Sequence, residues 1–146
     1  MIFWDTSAIV PLLIDEPRSE PIRAVLRGDG NVVVWWMTQI ECLSASARNE
    51  RAGALSGDQG DQAREVLDLL RSDWNEVKPS ETVRDRARIL LLGHPLRAAD
   101  AMQLGAALTW AQDRPLGDSF LSLDERLTAA ARAEGFDVGP PERLGG

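Results

Sequence analysis

Ile2-Phe3-Trp4-Asp5-Thr6-Ser7 sets three large apolar residues directly before three small polar ones. The apolar run is too short for a helix and reads as a buried strand. Asp, Thr and Ser are the residues that open helices, because their side-chain oxygens accept from otherwise unpaired first-turn N–H groups. The stretch therefore predicts a buried strand that delivers an acid at its carboxyl end and turns at once into a helix. Phe120-Leu121-Ser122-Leu123-Asp124-Glu125 repeats the arrangement far along the chain, predicting a strand over 119–123 and a helix over 125–134.

Between these two points the pattern alternates. Helices are expected over 8–14, where Pro17 interrupts, and over 20–27, stopped by Gly28-Asp29-Gly30. Val32-Val33-Val34-Trp35-Trp36 is β-branched and aromatic, as a central strand should be. Helices follow over 38–52 and 61–72, a short strand over 74–77 and a helix over 81–92 closed by Gly93-His94-Pro95. The segment 97–112 is a helix of small apolar residues, buried on most sides, and 136–138 is a last short strand. Strands separated by helices imply parallel pairing, so the expectation is an α/β fold: a three-layer α/β/α sandwich around a central, mainly parallel sheet. No repeat or internal linker divides the 146 residues, which read as one domain with a loose Gly- and Pro-rich tail over about 140–146.

The composition narrows the function classes. Cys42 is the only cysteine, so no internal disulfide can form. No basic, apolar leader opens the chain and no apolar run approaches membrane-spanning length, so the expectation is a cytoplasmic protein with no membrane partner. Sixteen Lys and Arg against 23 Asp and Glu give a net charge of −7, which opposes binding to nucleic acid through a broad basic surface. It leaves open an enzyme that meets RNA through bound divalent ions, since each ion reverses the local field.

Parallel strands put Asp5 and Asp124 on the same edge, the edge where open α/β sheets bind ligands. Either acid also serves as an ordinary helix cap. Asp100 falls among Leu96, Leu104 and Ala107 at helical spacing, an expensive place for a carboxylate unless it has a task or an ion pair with Arg97. Glu41 follows the central strand, and Thr38-Gln39-Ile40-Glu41 also has the form of a capping box. Four carboxylates gathered on one edge repel one another, and Mg²⁺ or Mn²⁺ relieves that repulsion. Phosphodiester hydrolysis suits one or two such ions: they activate water and stabilise the leaving oxygen.

The same residues carry a family resemblance. Phe3-Trp4-Asp5-Thr6-Ser7-Ala8 resembles the opening motif of PIN domains, especially the VapC toxins of bacterial toxin–antitoxin pairs. Thr38-Gln39-Ile40-Glu41-Cys42-Leu43 is similar to the second motif, and Leu96-Arg97-Ala98-Ala99-Asp100-Ala101-Met102-Gln103-Leu104 to the third. Phe120-Leu121-Ser122-Leu123-Asp124-Glu125-Arg126-Leu127 is similar to the fourth, with Ser122 where a threonine is common. The four motifs in order span nearly the whole chain.

The resemblance implies a PIN-like sandwich and an Mg²⁺- or Mn²⁺-dependent endoribonuclease. By analogy Asp5 and Asp100 ligate metal directly, Glu41 ligates it or orients its water, and Asp124 completes the pocket. The hydroxyls of Thr6, Ser7 and Ser122 support ligands or phosphate. It also implies a structured RNA substrate of the tRNA or rRNA class, a cognate antitoxin that blocks the site, and a homodimer. Asp118, at the start of the last long strand, is a rival for the fourth acid but should face the opposite edge.

Other readings fit less well. Ser-His-Asp hydrolysis would rest on His94, the only histidine, which sits in a turn. A phosphoacceptor receiver domain has a Lys-Pro step like Lys78-Pro79 but needs an acid pair where Asp5-Thr6 stands. A haloacid-dehalogenase-type phosphatase needs an acid at Ser7. Cys42 and most of the five tryptophans read as core, and Arg84, Arg86 and Arg88 as a solvated helix face. The remaining alternative is a catalytically silent PIN-like module that binds protein partners.

Overall fold

A computed structural model describes residues 1–144. Four strands, β1 (Ile2–Trp4), β2 (Val32–Trp35), β3 (Asn75–Val77) and β4 (Ser119–Leu121), form one sheet in the order β3-β2-β1-β4. Every pairing is parallel, with Phe3 opposite Val33 on one side and Phe120 on the other. The connections run through helices α1 (Thr6–Leu13), α2 (Ser19–Gly28), α3 (Thr38–Arg51), α4 (Gly57–Arg71), α5 (Glu81–Gly93) and α6 (Ala98–Trp110), and α7 (Glu125–Glu134) is the last helix among the described residues.

Because strand side chains alternate between faces, each short strand feeds two cores. Phe3, Val33, Trp35 and Phe120 pack with Val83, Leu104 and Leu127 from α5, α6 and α7. Ile2, Trp4, Val32, Val34 and Leu121 pack with Ile9, Ile22 and Leu67 from α1, α2 and α4, and with Cys42 from α3. The result is the expected α/β/α sandwich, with β1 and β2 in the middle of the sheet. On the first face α5 and α6 approach closely at Gly105, where a Cβ would stand 2.9 Å from the Val83 carbonyl oxygen and 3.1 Å from the Ala87 nitrogen.

Four local expectations change. The capping box is not at Thr38: α3 has no side-chain cap, and Thr38 and Glu41 turn to other partners. It forms instead at Ser56, which accepts from Gln59 N at 3.1 Å while Gln59 returns its Oε1 to the Ser56 N–H, so α4 starts at Gly57 rather than 61. The strand expected over 136–138 shrinks to one bridge between Ser119 and Asp137. Trp36, expected in the central strand, lies beyond β2 and is 45% exposed.

The expected loose tail is tied down as far as Leu144. Arg143 pairs with Asp137 at 2.9 Å and Leu144 is buried against the second core; residues 145–146 of that stretch lie outside the described residues. Among the described residues no helix is long and apolar enough to cross a membrane.

Candidate active site

Asp5 follows β1 and caps α1; Asp124 follows β4 by three residues and caps α7, accepting from Leu127 N at 2.9 Å. Since β1 and β4 are parallel neighbours, the two acids leave the sheet at the same edge. Glu41 is in the first turn of α3 and Asp100 in the first turn of α6. Asp100, expected inside a helix beginning at Arg97, is the third residue of α6 and sits half-buried at the helix N-terminus, where the helix dipole favours negative charge. No Asp100–Arg97 ion pair forms among the described residues; Arg97 acts through its backbone N–H and its charge.

The four acids, Asp5, Glu41, Asp100 and Asp124, line one cavity of about 690 Å³. Asp5 is 5% exposed and would be costly to ionise alone. Its Oδ2 accepts from Ser7 Oγ at 2.6 Å, Ser122 Oγ at 2.9 Å and Ser7 N at 3.3 Å. Ser7 and Ser122 in turn accept the N–H groups of Leu123 and Asp124 at 2.8 and 3.0 Å. The two serines thus fix the loop after β4 onto the carboxylate that ends β1. Among the described residues every hydrogen bond to the Asp5 carboxylate goes to Oδ2, which leaves Oδ1 free of protein partners.

Glu41 is held from two sides. Glu41 Oε1 accepts from Thr6 Oγ1 at 3.0 Å and from Gln103 Nε2 at 2.8 Å. Gln103 is 1% exposed, on α6 one turn after Asp100, and its Nε2 also lies 2.9 Å from Thr6 Oγ1 and 3.1 Å from Thr38 Oγ1. An amide has two N–H donors, so three acceptors share them. Gln103 is the residue that reading the sequence for acids overlooks. The available signal was a lone amide inside a stretch of alanine, leucine and methionine, where an unpaired polar group is expensive.

The acids perturb one another. Burial raises the pKa of Asp5, with a smaller push from Asp100, against the lowering pull of the two serines. Burial also raises Glu41; Thr6 and Gln103 oppose it, and the charges of Asp5 and Asp100 add to it. Asp100 is raised by burial and by Asp124, against Arg97. Groups of one sign that disturb one another in a cleft mark a site built for a cation or a proton.

Among the described residues no three His, Cys, Asp or Glu side chains stand close enough to enclose one ion by themselves. Mg²⁺ does not require that: it keeps several waters and takes one or two carboxylates together with phosphate oxygens. An all-oxygen set of repelling carboxylates, one with an unengaged oxygen, fits such an ion.

The other candidates lie elsewhere. Asp118 does not line the cavity; its carbonyl accepts from Asp137 N at the far end of β4. His94 pairs with Glu134 at 2.8 Å outside the cavity. The Cys42 thiol is buried beside Glu41 and Asp5 and pushed up to about 12, too high for a nucleophile near neutrality.

The PIN domain family matches residues 2–133. Three ribonucleases of Mycobacterium tuberculosis align over nearly their whole length. VapC47 is 32% identical over 97% of both chains, VapC46 35% over 96% of this chain and 97% of its own, and VapC45 30% over 97% and 96%. Among solved structures, FitAcB from Neisseria gonorrhoeae superposes with a TM-score of 0.68 at 20% identity, over 99% of this chain and 100% of that one. A toxin–antitoxin complex from Klebsiella pneumoniae gives 0.66 at 15% identity over 97% and 98%. At those identities the structures establish the fold, and the closer sequence relatives establish the kinship. The chain belongs to the PIN-domain family, in the branch that holds these VapC proteins.

Proposed function

We propose that the protein is an Mg²⁺- or Mn²⁺-dependent endoribonuclease and the toxin of a VapBC-type toxin–antitoxin pair. The observation that carries this reading is the gathering of Asp5, Glu41, Asp100 and Asp124 in one cavity, with three of them raised by burial and by one another. The ribonuclease names of relatives 30 to 35% identical over nearly the full chain support it.

In this reading Asp5 and Asp100 hold one or two divalent ions, with Asp124 completing the set. When bound, such an ion supplies the positive charge that lets water ionise near neutrality and that offsets charge gathering on the phosphate. Glu41, fixed by Thr6 and Gln103 and raised in proton affinity, orients the attacking water and receives its proton. Ser7 and Ser122 keep Asp5 from swinging between ligand positions.

The substrate class is structured RNA such as tRNA or rRNA, and the cognate antitoxin acts by covering the cavity. The chain works as a single domain, as a homodimer, in the cytoplasm. Incubating purified protein with total bacterial RNA in Mn²⁺, Mg²⁺ or EDTA tests the activity. Discrete fragments that vanish in EDTA are expected, and their ends name the target. Intact RNA under every condition, with metal binding verified, would leave the silent protein-binding module as the better account.

A further inference from the structure

The carboxylate cavity has a neighbour. A second cavity, of about 760 Å³, shares Asp100 and Asp124 with it, and its other lining residues are different. Arg48 borders the first cavity; Arg97 and Arg126 border the second. Nine other arginines are tied to carboxylates: Arg23 to Asp15 and Arg86 to Asp113, for example, and Arg18, which also borders the first cavity, to Glu16 at 3.4 Å. Arg48, Arg97 and Arg126 have no such partner among the described residues. Arg48 is steadied only by Ser44 Oγ on its own helix, at 3.0 Å, and all three are exposed.

We propose that Arg48 on one side and Arg97 with Arg126 on the other hold the phosphates flanking the scissile one, so that a single RNA strand crosses the carboxylates from one cavity to the next. The inference rests on the ribonuclease reading above. A chain of net charge −7 repels a polyanion at long range, so local cations free of internal partners must supply the attraction. Guanidinium groups are suited to this task, because their planar N–H pairs match phosphate oxygens. Their placement also divides the labour. The acids, through metal, act on one phosphate, and the arginines set which phosphate that is by gripping its neighbours. Such contacts carry no base identity, so they raise affinity uniformly across sequences.

The test is binding of a short fluorescent single-stranded RNA of mixed sequence, measured over a range of salt in an Asp100→Asn background that keeps the RNA intact. Arg48→Gln, Arg97→Gln and Arg126→Gln are each expected to weaken binding roughly three- to tenfold and to flatten the log–log salt slope by about 0.7 per lost contact. Arg114→Gln, which removes an equally unpaired charge away from both cavities, serves as the control and should leave both quantities unchanged. Melting curves confirm that the variants fold.

Unaltered affinity and slope in all three variants would overturn the assignment. So would arginines that matter only for binding an acidic protein partner, which would leave the RNA curves untouched. Wild-type cleavage of the same RNA reports on the ribonuclease reading separately: cleavage retained with RNA binding unaltered in the variants defeats the arginine assignment alone.

Discussion

Gln103 Nε2 donates to Glu41 Oε1 at 2.8 Å, joining two helices across 62 residues of sequence. The bond lowers the proton affinity of a carboxylate that burial and two neighbouring acids raise. Gln103→Leu is therefore expected to move the acidic limb of the pH–rate profile toward higher pH and to reduce kcat at neutral pH more than it changes KM. Stability should shift by only about 1 kcal/mol, because the substitution also removes the buried, unpartnered Gln103 Oε1. An unmoved acidic limb with slower turnover would reduce Gln103 to a packing residue.

Ser7 and Ser122 differ in what each holds. Both donate to Asp5, but Ser7 also receives the Leu123 N–H, and Ser122 that of Asp124. Ser7→Ala and Ser122→Ala should each cost about 1–2 kcal/mol, read from urea unfolding. The double variant should cost less or more than the sum, since both serines serve one carboxylate oxygen. Ser122→Thr keeps the hydroxyl and should retain activity. Additive costs would mean that the two serines act independently.

Asp5, Glu41 and Asp100 all have raised pKa values in the fold. A carboxyl group raised on folding binds its proton more tightly in the native state, so its contribution to stability is fullest below the unfolded pKa of about 4. That contribution is lost as pH rises through the higher folded value. In EDTA the wild type should thus lose stability over this window as pH increases, and Mg²⁺ or Mn²⁺ should restore it. Asp100→Asn should flatten the loss, raise the metal-free melting temperature and remove the gain from metal. Equal metal stabilisation of the two proteins would take Asp100 out of the site.

Gly105 lets α6 lie against α5, with Val83 O 2.9 Å from where a Cβ would stand. The obstacle is backbone, so it cannot rotate away. Gly105→Ala should destabilise the protein by about 1–3 kcal/mol, and the displaced helix carries both Asp100 and Gln103. Melting curves with and without metal should show lowered stability together with a smaller metal effect. A neutral outcome would mean that α5 yields without disturbing the site.

The sheet is legible because β1 and β2 are runs of large apolar residues and β4 carries Phe120-Leu121, although the apolar Trp36 after β2 hides where that strand ends. The acids at the strand ends followed from parallel pairing. What local pattern could not supply was partner choice across the fold. Thr38 and Glu41 have the spacing of a capping box, yet Gln103 and Thr6, distant in sequence, offer better-buried partners and take them. The expected helix over 97–112 and the observed α6 differ by one residue at the start, and local pattern does not show that Asp124 is the acid whose charge acts on Asp100. Arginines free of carboxylate partners are likewise invisible until the ion pairs are known.

The proposed function requires the four acids to form one metal-dependent hydrolytic site acting on RNA. Cleavage of a single defined RNA target by wild type and Asp100→Asn, in Mn²⁺ and at matched fold stability, tests it most directly. A loss of about a thousandfold is expected, near 4 kcal/mol of activation free energy, with none of the wild-type activity surviving EDTA. Cleavage by Asp100→Asn at the wild-type rate, or wild-type cleavage that persists in EDTA, would contradict it.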